Sequence, residues 1–312
     1  MRPGLPIAPT PRMTDPQPKS AASRRDGPRP PGALLMLLEG RAPMEFFSLF
    51  AALPWLFRVP RGDGHPAIVF PGMGANDITT LPLRRYLQRI GYVTQAWGQG
   101  LNFGPRPGVV GRAADDLRRL ADQHGRPVSL VGWSLGGIYA RELAKMHPDE
   151  TRCVVTLGTP FAGHPKSTNV WRVYELLSRS KVGDPAVMAQ IRTPPPVPTT
   201  SIYSRSDGVV AWRTCINEPA PLTENIEVPA SHLGMGANPL VLYAVADRLA
   251  QPIGAWQPFE VAGARRLFFR TAHPDASAAR AGRRRHRGRA DSLPCRGGSS
   301  EPRCSRSAGR AR

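Results

Sequence analysis

The stretch VSLVGWSLGGIYARELA, residues 128–144, sets Ser134 between Gly132 and Gly136. A serine hydroxyl attacks a carbonyl carbon effectively only when it is exposed and a neighbouring base takes its proton. The G-x-S-x-G spacing meets the first need. It places the serine on a sharp turn between a strand and a helix, with the oxygen pushed outward. Glycine on either side leaves room where strand and helix pass closest. The second need points downstream, to Asp207 in YSRSDGVV and His232 in VPASHLGMG, each just past a strand-like run. In the order serine, acid, histidine, the imidazole can deprotonate the serine while the acid holds one tautomer. The chemistry such a set performs is nucleophilic acyl transfer.

Other titratable residues fit less well. His65 precedes the sheet, while His124 and His147 end helices; Asp184 and Glu218 have no strand directly before them. His164, in TPFAGHPKS, is expected to line a pocket.

The elements that must position these groups alternate along the chain. AIVF (67–70) reads as a buried strand, followed by a helix over Thr80–Ile90 with Leu83, Tyr86, Leu87 and Ile90 at helical spacing. YVTQAW is the next strand, and a helix carrying Leu117, Leu120 and Ala121 closes at Gly125. After VSLVG and the turn, Gly136, Ala140 and Ala144 fall four apart on a helix stopped by Pro148, a small-residue stripe that lets it lie against the sheet. CVVTLG, TSIYS and NIEVPA supply further strands before a last helix from Pro239 to Ala250. Strand runs that are apolar throughout predict an α/β protein with a mostly parallel, doubly wound sheet covered on both faces. Asp207 and His232 then fall on loops at the carboxyl ends of strands, where open α/β sheets hold ligands. The interval between CVVTLG and TSIYS is too long for a simple crossover. Val170, Trp171, Tyr174 and Leu177, then Val187, Met188 and Ile191, predict two amphipathic helices between about 160 and 198, either core packing or a small lid over the site.

Composition separates the ends from the middle. Residues 1–32 are rich in Pro, Arg, Ser and Gly without apolar periodicity, and residues 262–312 carry fourteen Arg against three acidic residues. Both are expected to be disordered, leaving 33–261 as the folded domain. That domain holds 22 basic and 18 acidic residues, a net of +4, so the +19 of the whole chain belongs to its ends. The Arg-rich tail lacks the aromatic residues and motifs of specific nucleic-acid binding, so none is expected. It could meet anionic membrane surfaces, as could the apolar segment 33–57, which Glu39, Arg41, Pro43 and Glu45 make too broken to span a bilayer. The expectation for 33–57 is two short helices packed on the domain, with an interfacial helix as the alternative. Four cysteines in no paired or metal-binding spacing predict reduced thiols and a cytoplasmic setting, and acyl transfer by a serine, acid and histidine calls for neither metal nor organic cofactor.

From residue 65 to about 250 the chain resembles the α/β-hydrolases, in particular bacterial esterases and lipases. GWSLGG is similar to the serine turn of the pimeloyl-carrier-protein methyl ester esterases. VFPGMG resembles the loop that supplies the oxyanion hole, with Phe70-Pro71 where His-Gly is usual. The resemblance implies that the backbone amides of Met73 and Leu135 bind the oxyanion, with Ser134, Asp207 and His232 as the triad. The substrate pocket is expected to include Trp133, His164, Trp171 and Tyr174. The expected activity is hydrolysis of acyl esters, lipid-like ones among them, through an acyl-enzyme. Acyl transfer or thioester cleavage by the same triad, and a non-catalytic binding protein on this scaffold, are the alternatives.

Overall fold

Strands that are apolar on both sides need two covering layers, and the chain supplies both. The computed structural model describes residues 28–163, 168–169 and 185–271. Among them, seven strands form one sheet: β1 (Pro66–Phe70), β2 (Val93–Ala96), β3 (Val128–Trp133), β4 (Thr151–Leu157), β5 (Thr199–Tyr203), β6 (Thr223–Glu227) and β7 (Arg270–Thr271). Their spatial order is β2-β1-β3-β4-β5-β6-β7, parallel except for β7, which runs antiparallel to β6. The helices are α1 (Ala33–Leu37), α2 (Ala42–Leu56), α3 (Leu81–Arg89), α4 (Val109–His124), α5 (Leu135–Met146), α6 (Pro185–Arg192) and α7 (Pro239–Leu249). The α/β class read from the sequence is the observed one.

Because strand side chains alternate, each central strand feeds two cores. Ala67 and Val69 pack with Val131 and Val155 beneath α2, α3 and α7, while Ile68 and Phe70 pack with Leu130 and Val154 beneath α4 and α5. The second layer comes closest at α5. A Cβ on Gly136 would land on the Phe70 carbonyl, and one on Gly132 would meet the backbone of Gly137. Those glycines let α5 start directly above the end of β3.

Segment 33–57 forms α1, a 3-10 turn (Leu38–Arg41) and α2. Leu49 and Leu56 enter the core, and Trp55 stacks on Tyr243 of α7 at 4.5 Å. No described helix is long and apolar enough to cross a membrane. Leu34, Leu37, Met44, Phe47 and Phe50 remain exposed.

The expected lid lies partly outside the described residues, which omit 164–167 and 170–184 and with them His164, Trp171 and Tyr174. Its described helix, α6, is bound to the far half of α5. Lys145 donates to the Gln190 carbonyl (2.5 Å), Gln190 to Glu142 (2.9 Å) and Arg141 to the Arg192 carbonyl (3.1 Å).

The expected domain end at 261 falls short. A 3-10 turn at Gly263–Leu267 leads into β7, and Phe269 is 1% exposed, packed on Phe259 at 5.1 Å and Tyr243 at 5.8 Å. The arginines of this stretch stay at the surface while one aromatic residue turns into the core.

Candidate active site

β3 ends at Trp133 and α5 begins at Leu135, which leaves a single residue for the turn. Ser134 adopts φ 53°, ψ −120°, the one non-glycine with positive φ among the described residues. Such a conformation costs about 1–3 kcal/mol and persists only where its surroundings fix it. Here the Ser134 amide donates to the Leu157 carbonyl (2.8 Å), and its carbonyl accepts from Gly137 (3.0 Å).

The loops after β5 and β6 bring Asp207 and His232 together. Asp207 Oδ1 accepts from the amides of Val209 (2.8 Å) and Val210 (2.7 Å), which fixes the carboxylate plane. Its Oδ2 accepts from His232 Nδ1 at 2.7 Å. With Nδ1 donating, Nε2 carries the lone pair. Burial works against the protonated ring. The charge and hydrogen bond of Asp207, and then the charge of Glu39, outweigh it, so the imidazole pKa lies above its ordinary value. Gly158 lies under the pair: a Cβ there would sit 3.0 Å from His232 Nδ1 and 3.2 Å from Asp207 Oδ2.

Ser134 and His232 line one cavity of about 620 Å³, together with Met36, Phe46, Met73, Ile78, Trp133 and Leu233. No direct hydrogen bond joins the Ser134 hydroxyl to His232; such contacts commonly close only around substrate. Trp133, expected in the pocket, lines it and donates from Nε1 to the His232 carbonyl at 3.1 Å. None of the described residues of the 160–198 insertion lines this cavity.

The loop after β1 presents Met73 at the cavity wall, and the amides of Met73 and Leu135 donate to no other backbone group among the described residues. The loop is braced by a residue the sequence reading overlooked. Asn102 donates to the Pro71 carbonyl (2.8 Å), its carbonyl accepts from Gly74 (2.7 Å), and its amide donates to the Ala75 carbonyl (2.9 Å).

Glu39 was also overlooked as a site residue. It is 5% exposed, lines the cavity, and accepts from the amides of Gly208 (2.7 Å), His232 (2.9 Å) and Leu233 (2.9 Å). The sequence offered one signal, an acidic residue interrupting the apolar segment 33–57.

A second Ser–His–Asp set lies at the opposite ends of the strands. His65 Nε2 accepts from the Ser129 hydroxyl (2.8 Å) and Nδ1 donates to Asp63 (2.5 Å); Ser129 in turn accepts from the Cys153 thiol (3.3 Å). Ser129 and His65 are both fully buried, so no substrate reaches them. Burial, helped by the nearby Arg152 and Arg126 charges and opposed by Asp63, pushes the His65 pKa down to about 4. This set is structural, and its pH signature is an expected loss of stability in acid. As pH falls through about 6.5 the unfolded chain takes up a proton that folded His65 refuses until about 4. Stability is thus complete above that window and declines through it by on the order of 3 kcal/mol. Urea unfolding between pH 7 and 4 should show the decline in the wild type and its removal in His65→Gln. Parallel pH profiles for the two would contradict the assignment.

A serine on the turn after the third strand of a 2-1-3-4-5-6 parallel sheet, with acid and histidine on the loops after the fifth and sixth, is the arrangement of the α/β-hydrolase fold. The chain is similar over 100 residues, 31% of its length, to the pimeloyl-[acyl-carrier protein] methyl ester esterase of Shewanella woodyi, at 28% identity and covering 37% of that protein. Among solved structures it is similar to Aspergillus fumigatus lipase B (18% identity, 62% of this chain and 54% of that one, TM-score 0.49). It is similar also to a monoacylglycerol lipase of Paleococcus ferrophilus (16% identity, 61% and 96%, TM-score 0.44). No family model matches the chain.

Proposed function

We propose that the protein is a serine hydrolase that cleaves carboxylic esters of apolar, lipid-like molecules through an acyl-enzyme. The observation that carries this reading is the buried Asp207–His232 pair at 2.7 Å, sharing one cavity with a serine held in a strained turn. In the reaction His232 Nε2 takes the hydroxyl proton as Ser134 Oγ bonds to the ester carbon. The carbonyl electron pair moves onto oxygen, where the amides of Met73 and Leu135 stabilise it. As the pair returns, the bond to the alkoxide breaks and His232 returns the proton to the leaving alcohol. Water repeats the cycle on the acyl-enzyme and releases the acid and free Ser134. Fluorophosphonate labelling tests the assignment: modification is expected at Ser134, and an unmodified Ser134 in folded protein would overturn it.

Side chains in the oxyanion loop should matter less than its backbone. Met73→Ala is expected to be mild, whereas Met73→Pro removes one donor and should cost about 3 kcal/mol in kcat/KM. Equal, modest effects in two folded variants would place the hole elsewhere.

The apolar lining supports a lipid-like substrate. Phe46, Ile78 and Pro82 also line an adjoining groove of about 770 Å³, walled by Phe50 and Leu53 of α2, by Phe57 just after it, and by α3. Together with the exposed residues of α1 and α2, it supports uptake of substrate from a lipid interface. With p-nitrophenyl esters, kcat/KM is expected to rise with acyl length, and Phe50→Ser should flatten that rise while sparing the acetate. A wild-type preference for the acetate would overturn the lipid-like reading.

A further inference from the structure

We propose that Glu39 is a positioning residue of this site, holding the acid loop and the histidine loop in register so that segment 33–57 is a working part of the active centre. The inference rests on the function proposed above. Its carboxylate draws three amide donors from two loops that lie 169 to 194 residues away in sequence. One donor, Gly208, follows the acid; another belongs to His232 itself. Amide donors converging on a carboxylate make strong, directional contacts, and a buried donor left without its acceptor is costly.

The neighbours of Glu39 complete the clamp. Arg41 Nη2 donates to the Ser206 carbonyl (3.0 Å) and hydroxyl (2.8 Å), on the acid side. Glu45 accepts from the Ser231 amide (2.7 Å) and from Asn238 Nδ2 (3.0 Å), on the histidine side. Helix α1 comes so close that a Cβ on Gly208 would strike the Leu35 carbonyl. Thus each loop is held by the same short turn, and the 2.7 Å contact between Asp207 and His232 depends on that common anchor.

The charge has a second effect. The titratable groups packed around the imidazole are Asp207 from the loop after β5 and Glu39 from the turn, with Glu45 and its partner Arg41 one step further out. Glu39 adds negative charge beside a ring that must become cationic during turnover, which favours the imidazolium.

Two variants separate positioning from mere support. Glu39→Gln keeps the shape, removes the charge, and turns an amide N–H toward at least one donor. Its kcat is expected to fall about 100-fold with KM little changed, and the acid limb of the kcat profile should move to lower pH. Glu39→Asp keeps the charge but is one methylene short, so kcat should fall while the acid limb stays near that of wild type. The His232 Nδ1–H resonance in proton NMR should give the same two titration results without any ester. Wild-type kcat and pH profile in Glu39→Gln would overturn the proposal, as would insolubility of both variants, which would assign Glu39 to folding alone. If the wild type fails to label at Ser134 while the Glu39→Gln titration still shifts, the hydrolase reading fails and the coupling to His232 stands. If Ser134 labels and neither titration nor rate responds to Glu39, only the coupling fails.

Discussion

Alanine at Ser134 is expected to lower ester turnover by about a million-fold, and alanine at His232 by as much, with the double replacement no worse than either. The non-additivity is the informative part. Once the nucleophile is gone the base has nothing to deprotonate, so both changes remove the same reaction path. Asp207→Asn should cost less, about ten-thousand-fold, because it keeps the turn but stabilises the wrong imidazole tautomer. Asp207→Ala would confuse the measurement, since Oδ1 also anchors the amides of Val209 and Val210. Single-turnover rates on a p-nitrophenyl ester, with thermal melts to verify folding, provide the check. A folded Ser134→Ala variant retaining more than about one per cent of wild-type turnover would move the nucleophile elsewhere. Ser129 could not take its place, because it is sealed beneath His65.

The parts of this site legible in the sequence are those encoded by neighbours along the chain. Gly132, Ser134 and Gly136 specify the turn within five residues, and the strand-like runs before Asp207 and His232 put both on carboxyl-end loops. The alternation of apolar runs likewise gave the parallel, doubly wound sheet. Glu39 was not legible as a site residue because its acceptor role is defined by amides far along the chain. Asn102 hid for a similar reason: its partners Pro71, Gly74 and Ala75 lie on a loop that meets it only after folding. The Ser129–His65 contact was equally invisible, since it depends on the register between β1 and β3. Composition misled at one point. Arginines at 265, 266 and 270 drew the domain boundary too early and masked the aromatic residue between them.

That boundary leads to the second large effect, which is on stability. A chain of residues 28–271 is expected to unfold with the same urea midpoint as the full protein, whereas one ending at 261 should lose at least about 3–5 kcal/mol. The shorter chain lacks Phe269, whose ring fills the space between Phe259 and Tyr243, and removing a buried phenylalanine side chain alone costs that much. It lacks β7 as well, which covers β6 through the pairs Ile226–Thr271 and Glu227–Arg270. It also loses the Arg265 contact to Asp247 at 3.4 Å, a partly exposed pair of small value. Against a typical total of about 5–15 kcal/mol, the loss would leave the domain marginal. Phe269→Ala in the 28–271 chain isolates the ring from the strand and should account for most of the difference. Equal midpoints for the 261 and 271 chains would mean that Phe269 and β7 contribute nothing, and the folded unit would then end where its arginines begin.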